Sequence, residues 1–374
     1  MTQAHWVSRD TIAWRVDGGG ANSYLLHHDP DGALHPGSLD DARDTAIRLT
    51  YDPAGLSPDI LAKFPHLAWF SALKLSPDDL SKVPEILRGQ IAVSAREPSG
   101  QLLDAASVQI PGVLDDLYVE AYSAELGIIY EGSTPTLRLW APTARSVTLH
   151  LFDDAHTSTA TTIGMERDST TGIWGVIGRP EWTNKYYLYE VEVYMPSTGN
   201  VERNLVTDPY SVSLSTNSRR SQIVNLADPA LIPDGWRGLQ KPPLEAPEDI
   251  VVYELHIRDF SIGDQTVPEA YRGTYKAFTE NSANGMQHLR SLAEAGLTHI
   301  HLLPAFDFAT VNENKAERRE PDPAELASYP PDSDRQQAIV GMYKDVDGYN
   351  WGYDPYHFTV PEGSYATEPD GATR

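Results

Sequence analysis

Tyr349-Asn350-Trp351-Gly352-Tyr353-Asp354-Pro355 sets three flat aromatic rings around an amide, a glycine and a carboxylate within seven residues. Tyr349, Trp351 and Tyr353 offer apolar faces of the kind on which the C–H faces of sugar rings pack. Asn350 and Asp354 supply hydrogen-bonding groups for hydroxyls, and Gly352 lets the backbone turn tightly. The same seven residues would also serve as an aromatic loop packed on its own domain. The motif by itself leaves both readings open.

Other residues with chemical capacity are less specific. His256, Arg258 and Asp259 close the run Asp249–Phe260, where polar groups at a strand end can face a ligand. An Arg258–Asp259 ion pair that fixes the loop is the simpler account. His299 and His301 alternate around Ile300, a spacing that puts two imidazoles on one face, but no third metal ligand is nearby in sequence. They are read instead as satisfied histidines in a sheet interior. Gly18-Gly19-Gly20 precedes no helix, so a phosphate cradle fails. The charged run Asn312–Glu320 reads as a solvated loop. No Asp-x-Asp-x-Asp-Gly calcium loop occurs. With no cysteine in the chain, disulfides and thiolate chemistry are excluded.

The elements that must position these residues fall into three kinds. Residues 1–122 show short strand-like runs cut by turn signals at Asp29–Gly32, Asp52–Gly55 and Pro98–Gly100, with one helix opening at Ser57. This predicts a β-sandwich. Residues 123–236 carry cleaner period-2 strands at Thr136–Pro142, Ser146–Phe152, Gly172–Ile177 and Tyr186–Tyr194, which predicts a second sandwich with Trp140 and Trp174 in its core. Residues 237–248 are proline-rich and polar, a linker.

From residue 249 the pattern changes. Ile250–Leu255 is nearly continuously apolar, as in a strand buried on both faces. Asn281 or Ser282 can cap a helix with Met286, Leu289, Leu292 and Ala293 on one side and Gly296 at its end. Leu297–Pro304 is then a second strand, completing a βαβ unit with a parallel sheet. Residues 305–374 read as loop and supply no further unit, so the expectation is that residues 249–374 are part of a larger α/β domain.

The 29 basic and 53 acidic residues give a formal charge of −24. Such a surface repels nucleic acid and anionic lipid and tolerates neutral ligands. Met1–Val7 has no basic-then-apolar pattern of a signal peptide, and no apolar run approaches the ~18–20 residues needed to span a bilayer. The simplest expectation is a cytoplasmic protein, although a secreted parent trimmed of its signal would look the same. The oligomeric state is left open.

Four regions carry a family resemblance: Val108–Tyr118; Leu137–Ala144 together with Lys185–Val191 and Thr207–Tyr210; Val252–Ser261; and Tyr349–Pro355. The chain resembles the pullulanase and limit-dextrinase group of the α-amylase family over essentially its whole length. The resemblance implies a multidomain protein: two all-β sandwich domains, the second of starch-binding type, followed by the start of a (β/α)8 TIM barrel. It implies an α-1,6-glucosidase acting with retention on branched α-glucan. Tyr353 would stack on the glucose beside the scissile bond, with Asn350, Trp351 and Asp354 shaping the same region. No cofactor is implied, and a structural calcium is possible.

Retaining glycosidases need a nucleophile and an acid carboxyl about 5–5.5 Å apart. The family places the nucleophilic Asp on the fourth barrel strand and the acid Glu on the fifth. Only two strands are read here, so no catalytic residue is assigned in this chain and both are expected beyond Arg374. Two rivals remain. One is an isoamylase, glycogen-debranching or branching enzyme, against which the Asn350-Trp351 order and the first domain weigh. The other is a non-catalytic glucan-binding protein, against which the unfinished barrel weighs.

Overall fold

The structure is a computed structural model that describes residues 4–16, 23–35, 37–41 and 46–374; Gly18–Gly20 lie outside the described residues. The first module contains β1 (Ala4–Ser8), β2 (Thr11–Trp14), β3 (Ser23–Asp29), β4 (Ile47–Asp52), β5 (Ser71–Lys74), β6 (Gln90–Arg96) and β7 (Leu102–Gln109). Its strand order is β1-β2-β5-β4-β3-β6-β7, and the sheet closes on itself through parallel pairing of Ala4 with Val108 and His5 with Gln109. This corrects the expected sandwich: the first module is a closed barrel. Closure removes both sheet edges, which a two-sheet sandwich would leave open. Inward residues such as Trp6, Ile12, Trp14, Leu26, Leu73 and Val93 fill the interior and are fully buried. The helix expected near Ser57 forms at Pro58–Lys63, with the Ser57 hydroxyl accepting from the Ile60 amide at 3.3 Å.

The second module is a sandwich as expected. Its strands are β8 (Gly127–Glu131), β9 (Thr134–Trp140), β10 (Ser146–Phe152), β11 (Thr161–Gly164), β12 (Glu166–Arg167), β13 (Ile173–Ile177), β14 (Tyr186–Met195), β15 (Asn200–Val206) and β16 (Ser221–Gln222). One sheet runs β12-β13-β9-β8; the other runs β11-β10-β14-β15, with β16 also on β14. Leu137, Leu139, Val147, Leu149, Trp174 and Tyr189 meet between the sheets. Trp174 thus takes its expected core place, with its Nε1 donating to the Ala141 carbonyl at 2.9 Å. Trp140 does not. Leu137 and Leu139 already occupy the inward positions of β9, so the two-residue period turns Trp140 to the outer face, half-buried, with Nε1 on the Thr171 carbonyl at 3.0 Å.

Residues 239–246 have no helix or strand and are largely exposed, between short 3-10 turns at Trp236–Gly238 and Pro247–Asp249. Beyond it, β17 (Val252–Leu255) pairs in parallel with β18 (His299–Leu302), matching Val252 to His299 and Leu255 to Leu302. The helix Asn284–Glu294 crosses between them. It starts after Ala283, without a side-chain cap, so neither Asn281 nor Ser282 serves as one; Gly296, at φ +110°, follows its end. The strands are not buried on both faces: Val252 is 53% and Ile300 41% exposed, because this two-stranded sheet has no further neighbour among the described residues. Residues expected to be loop contain β19 (Phe306–Phe308) and β20 (Pro355–Pro361), paired antiparallel, and the helices Pro323–Ala327 and Arg335–Tyr343.

Candidate functional site

The Tyr349–Pro355 loop leads directly into β20 and is held by its own polar side chains. Asn350 Oδ1 accepts from the Gly352 amide at 2.7 Å, closing a tight turn around residue 351. Asn350 Nδ2 donates to the Thr310 hydroxyl at 2.6 Å, and that hydroxyl donates to Asp354 Oδ2 at 3.0 Å. The Asp354 carbonyl accepts from the Ala309 amide at 3.1 Å. Asn350 and Asp354 therefore spend polar atoms on loop shape, and the remaining Asp354 Oδ1 is buried without a hydrogen-bond partner.

Gly352 is required by geometry. Its φ of +84° is the left-handed region, and a Cβ there would lie 2.8 Å from Pro304 Cβ and 3.2 Å from Phe308 Cδ1. The turn throws its two flanking rings outward: Trp351 is 59% and Tyr353 71% exposed. Tyr349 turns inward instead. Its ring stacks on His256 at 5.3 Å between centroids, and Trp351 meets it edge-on at 5.8 Å.

His256 is the post behind this loop. It is 6% exposed, its Nε2 donates to the Asn350 carbonyl at 2.8 Å, and its Nδ1 accepts from the Asp259 amide at 3.4 Å as the cap of the helix Ile257–Ser261. Arg258 pairs with Asp259 at 3.0 Å and with Glu320 at 3.5 Å, the loop-fixing pair expected from sequence. His299 and His301 are exposed, which departs from the interior expectation. His301 Nδ1 meets Glu254 Oε2 at 2.9 Å, and His299 Nδ1 meets the neighbouring Thr298 hydroxyl at 2.9 Å.

A second constellation went unrecognised in the sequence. Asp307 is fully buried between His357 Nδ1 at 2.7 Å, Arg374 Nη1 at 3.0 Å and the Ser218 hydroxyl at 2.7 Å. Arg374 also reaches Glu313 Oε2 at 2.8 Å, and Glu313 accepts from the Asn217 amide at 2.6 Å. The first two residues of the run read as a solvated loop, Asn312 and Glu313, thus form an interface, with Glu313 only 4% exposed. Burial raises the Glu313 carboxyl to about 8, against the opposing pull of Arg374. These contacts tie the second module, through residues 215–218, to the segment after the linker.

Asp208 anchors the same module from within: it is fully buried and accepts from the Tyr187 hydroxyl at 2.8 Å, the Tyr189 hydroxyl at 3.2 Å and the Tyr210 amide at 2.8 Å. The only signal in the sequence was the Thr207–Tyr210 motif itself.

Asp307, Glu313 and Glu362 form the single acidic trio within metal-holding distance among the described residues. Arg374 already supplies the cation there, and the Ser218 and His357 contacts occupy the Asp307 oxygens, so this trio does not fit the calcium that the resemblance allows. A cleft of about 660 Å³ lies where the barrel meets the sandwich and shares no residue with the Tyr349–Pro355 loop. Its wall is mainly apolar, and the side-chain amide of Gln90 is spent on the Leu34 backbone. No described helix is long and apolar enough to cross a membrane.

Two β modules are thus followed by a parallel βαβ unit and an exposed aromatic turn, the organisation of a multidomain chain. Residues 1–116 match the Pullulanase N2 domain, and residues 125–211 match carbohydrate-binding module 48, the isoamylase N-terminal domain. Over 100% of its length the chain is 37% identical to Pullulanase 1, chloroplastic, of Arabidopsis thaliana and 38% identical to the pullulanase of Klebsiella pneumoniae. It spans only 38% and 37% of those two proteins. The crystal structure of Klebsiella pneumoniae pullulanase complexed with maltotriose superposes with a TM-score of 0.90 at 36% identity, covering 100% of this chain and 38% of that one. The apo pullulanase of the same organism also gives 0.90, at 37% identity and 44% of its chain. The chain belongs to the pullulanase family, of which it carries the N-terminal portion.

Proposed function

We propose that this chain is the glucan-facing N-terminal portion of an α-1,6-glucosidase that hydrolyses branch links in α-glucans such as pullulan, amylopectin or limit dextrins. The observation that carries the reading is the outward presentation of the Trp351 and Tyr353 rings on a turn locked by Asn350, Thr310 and Asp354. A rigid, exposed ring costs little to order and gives a sugar's C–H face a flat partner. Tyr353 is the platform at the reacting glucose and Trp351 its neighbour; Asn350 and Asp354 act by holding the turn. The parallel pair β17–β18, with its exposed apolar faces, supports its assignment as the beginning of a (β/α)8 barrel. The nucleophile and acid are assigned to later strands of that barrel, so this portion alone does not cleave.

In the enzyme that contains this chain, Tyr353→Ala lowers kcat/KM on pullulan by about 10²–10³-fold, while Tyr353→Phe keeps the ring and changes little. Steady-state reducing-end assays beside a melting curve decide the matter. Near wild-type kcat/KM in folded Tyr353→Ala would show a packing loop and refute the site.

A further inference from the structure

Among the described residues four non-glycine positions have positive φ: Asn184, Asn217, Ser218 and Thr310. Three of the four line a single cleft. Asn217 (φ +59°) and Ser218 (φ +52°) come from the second module, and Thr310 (φ +82°) from the segment after the linker. A β-branched residue in this region is strongly disfavoured, and such strain persists only where surrounding contacts over-determine it. Those contacts are present. The Asn217 amide is held by Glu313 and its side chain by Asn312 at 3.1 Å; the Ser218 hydroxyl sits against both oxygens of Asp307.

The cleft has a volume of about 320 Å³ and adjoins a second of about 520 Å³, both sharing Asn217, Ser218 and Tyr356. Both volumes fall in the range of roughly 300–1,000 Å³ for small-molecule sites. Tyr356 is the ridge between them, its ring 57% exposed and backed by His357 at 4.6 Å between ring centroids. Arg219 lines the second cleft and is exposed, its positive charge also acting on the Glu317 carboxylate. Thr310 joins the cleft to the Tyr349–Pro355 turn, since its hydroxyl is the link between Asn350 and Asp354.

We propose that this cleft is an accessory glucan-binding subsite, in which a short α-1,4-linked stretch lies across the Tyr356 ring with vicinal hydroxyls on the Arg219 guanidinium. An aromatic face and a planar fork of N–H donors are the two partners a neutral pyranose offers surfaces for. The second module and the segment after the linker each build one wall, so the subsite exists only while the Ser218–Asp307, Asn217–Glu313 and Arg374–Ser215 contacts hold the two together. The inference rests on the proposed glucan substrate.

The test is titration of the 374-residue chain with maltohexaose by isothermal calorimetry, with a melting curve for every variant. Tyr356→Ala and Arg219→Ala each weaken binding about tenfold or more at unchanged melting temperature, and Tyr356→Phe restores it. Unchanged affinity in both alanine variants, with Tyr353→Ala still weakening binding, overturns the accessory subsite and leaves the turn as the glucan site. No maltohexaose binding by the unsubstituted chain overturns the accessory subsite and leaves the Tyr353 reading to its kinetic test.

Discussion

Gly352→Ala is the substitution whose cost the structure lets one assemble from parts. At φ +84° an alanine pays about 1–2 kcal/mol for the left-handed backbone. Its Cβ, 2.8 Å from Pro304 Cβ, also forces a displacement in a packed region, costing typically ~1–3 kcal/mol. The sum is about 2–5 kcal/mol. The loop can escape part of it by giving up the Asn350 and Thr310 hydrogen bonds, each worth about 0.5–1.5 kcal/mol net, which would release the Trp351 and Tyr353 rings from their presentation.

Gly235→Ala is the control: its φ is +80°, but nothing lies within 4 Å of an added Cβ, so it pays the backbone cost alone. Urea unfolding of both variants, with hydrogen exchange of the 349–355 amides, separates the two contributions. The expected result is a larger loss for Gly352→Ala and faster exchange through the turn. Equal losses in the two variants would mean that the contact with Pro304 exerts no constraint, and that the turn is not rigid.

Asp208→Ala strands the Tyr187 and Tyr189 hydroxyls and the Tyr210 amide in a buried site; the expected loss of unfolding free energy is about 3–5 kcal/mol by urea melts, with Asp208→Asn losing less. Glu313 binds its proton more tightly folded than unfolded, its carboxyl standing at about 8 against an ordinary 4.5. Its contribution is therefore present below pH ~4.5 and is lost as pH rises toward 8, and urea midpoints across that window should fall more steeply for the native chain than for Glu313→Gln.

Period-2 alternation made the second sandwich legible, because a sheet with one buried face writes its register into the side chains. Leu137 and Leu139 of β9 show it directly, and the same alternation, applied strictly, would have put Trp140 outside. The βαβ unit was legible from the apolar run at Ile250–Leu255 and the helical spacing of Met286, Leu289 and Leu292. The Tyr349–Pro355 turn was legible from its residue types, with Gly352 read correctly as the tight-turning position. These are local features: each depends on the chemistry of a few consecutive residues.

What the tertiary structure alone decided is long-range. The first module became a barrel because Ala4 pairs with Val108 across the whole module, a register that no local pattern encodes. β20 escaped notice because its partner β19 is three residues long and its ends are Pro355 and Pro361. Glu313 looked like one charge in a solvated run until folding set it against Arg374 and Asn217. A buried acid and an exposed one have the same letter in a sequence. Only the neighbours brought in from distant positions fix which it is, and here they placed three strained residues from two modules around one cleft.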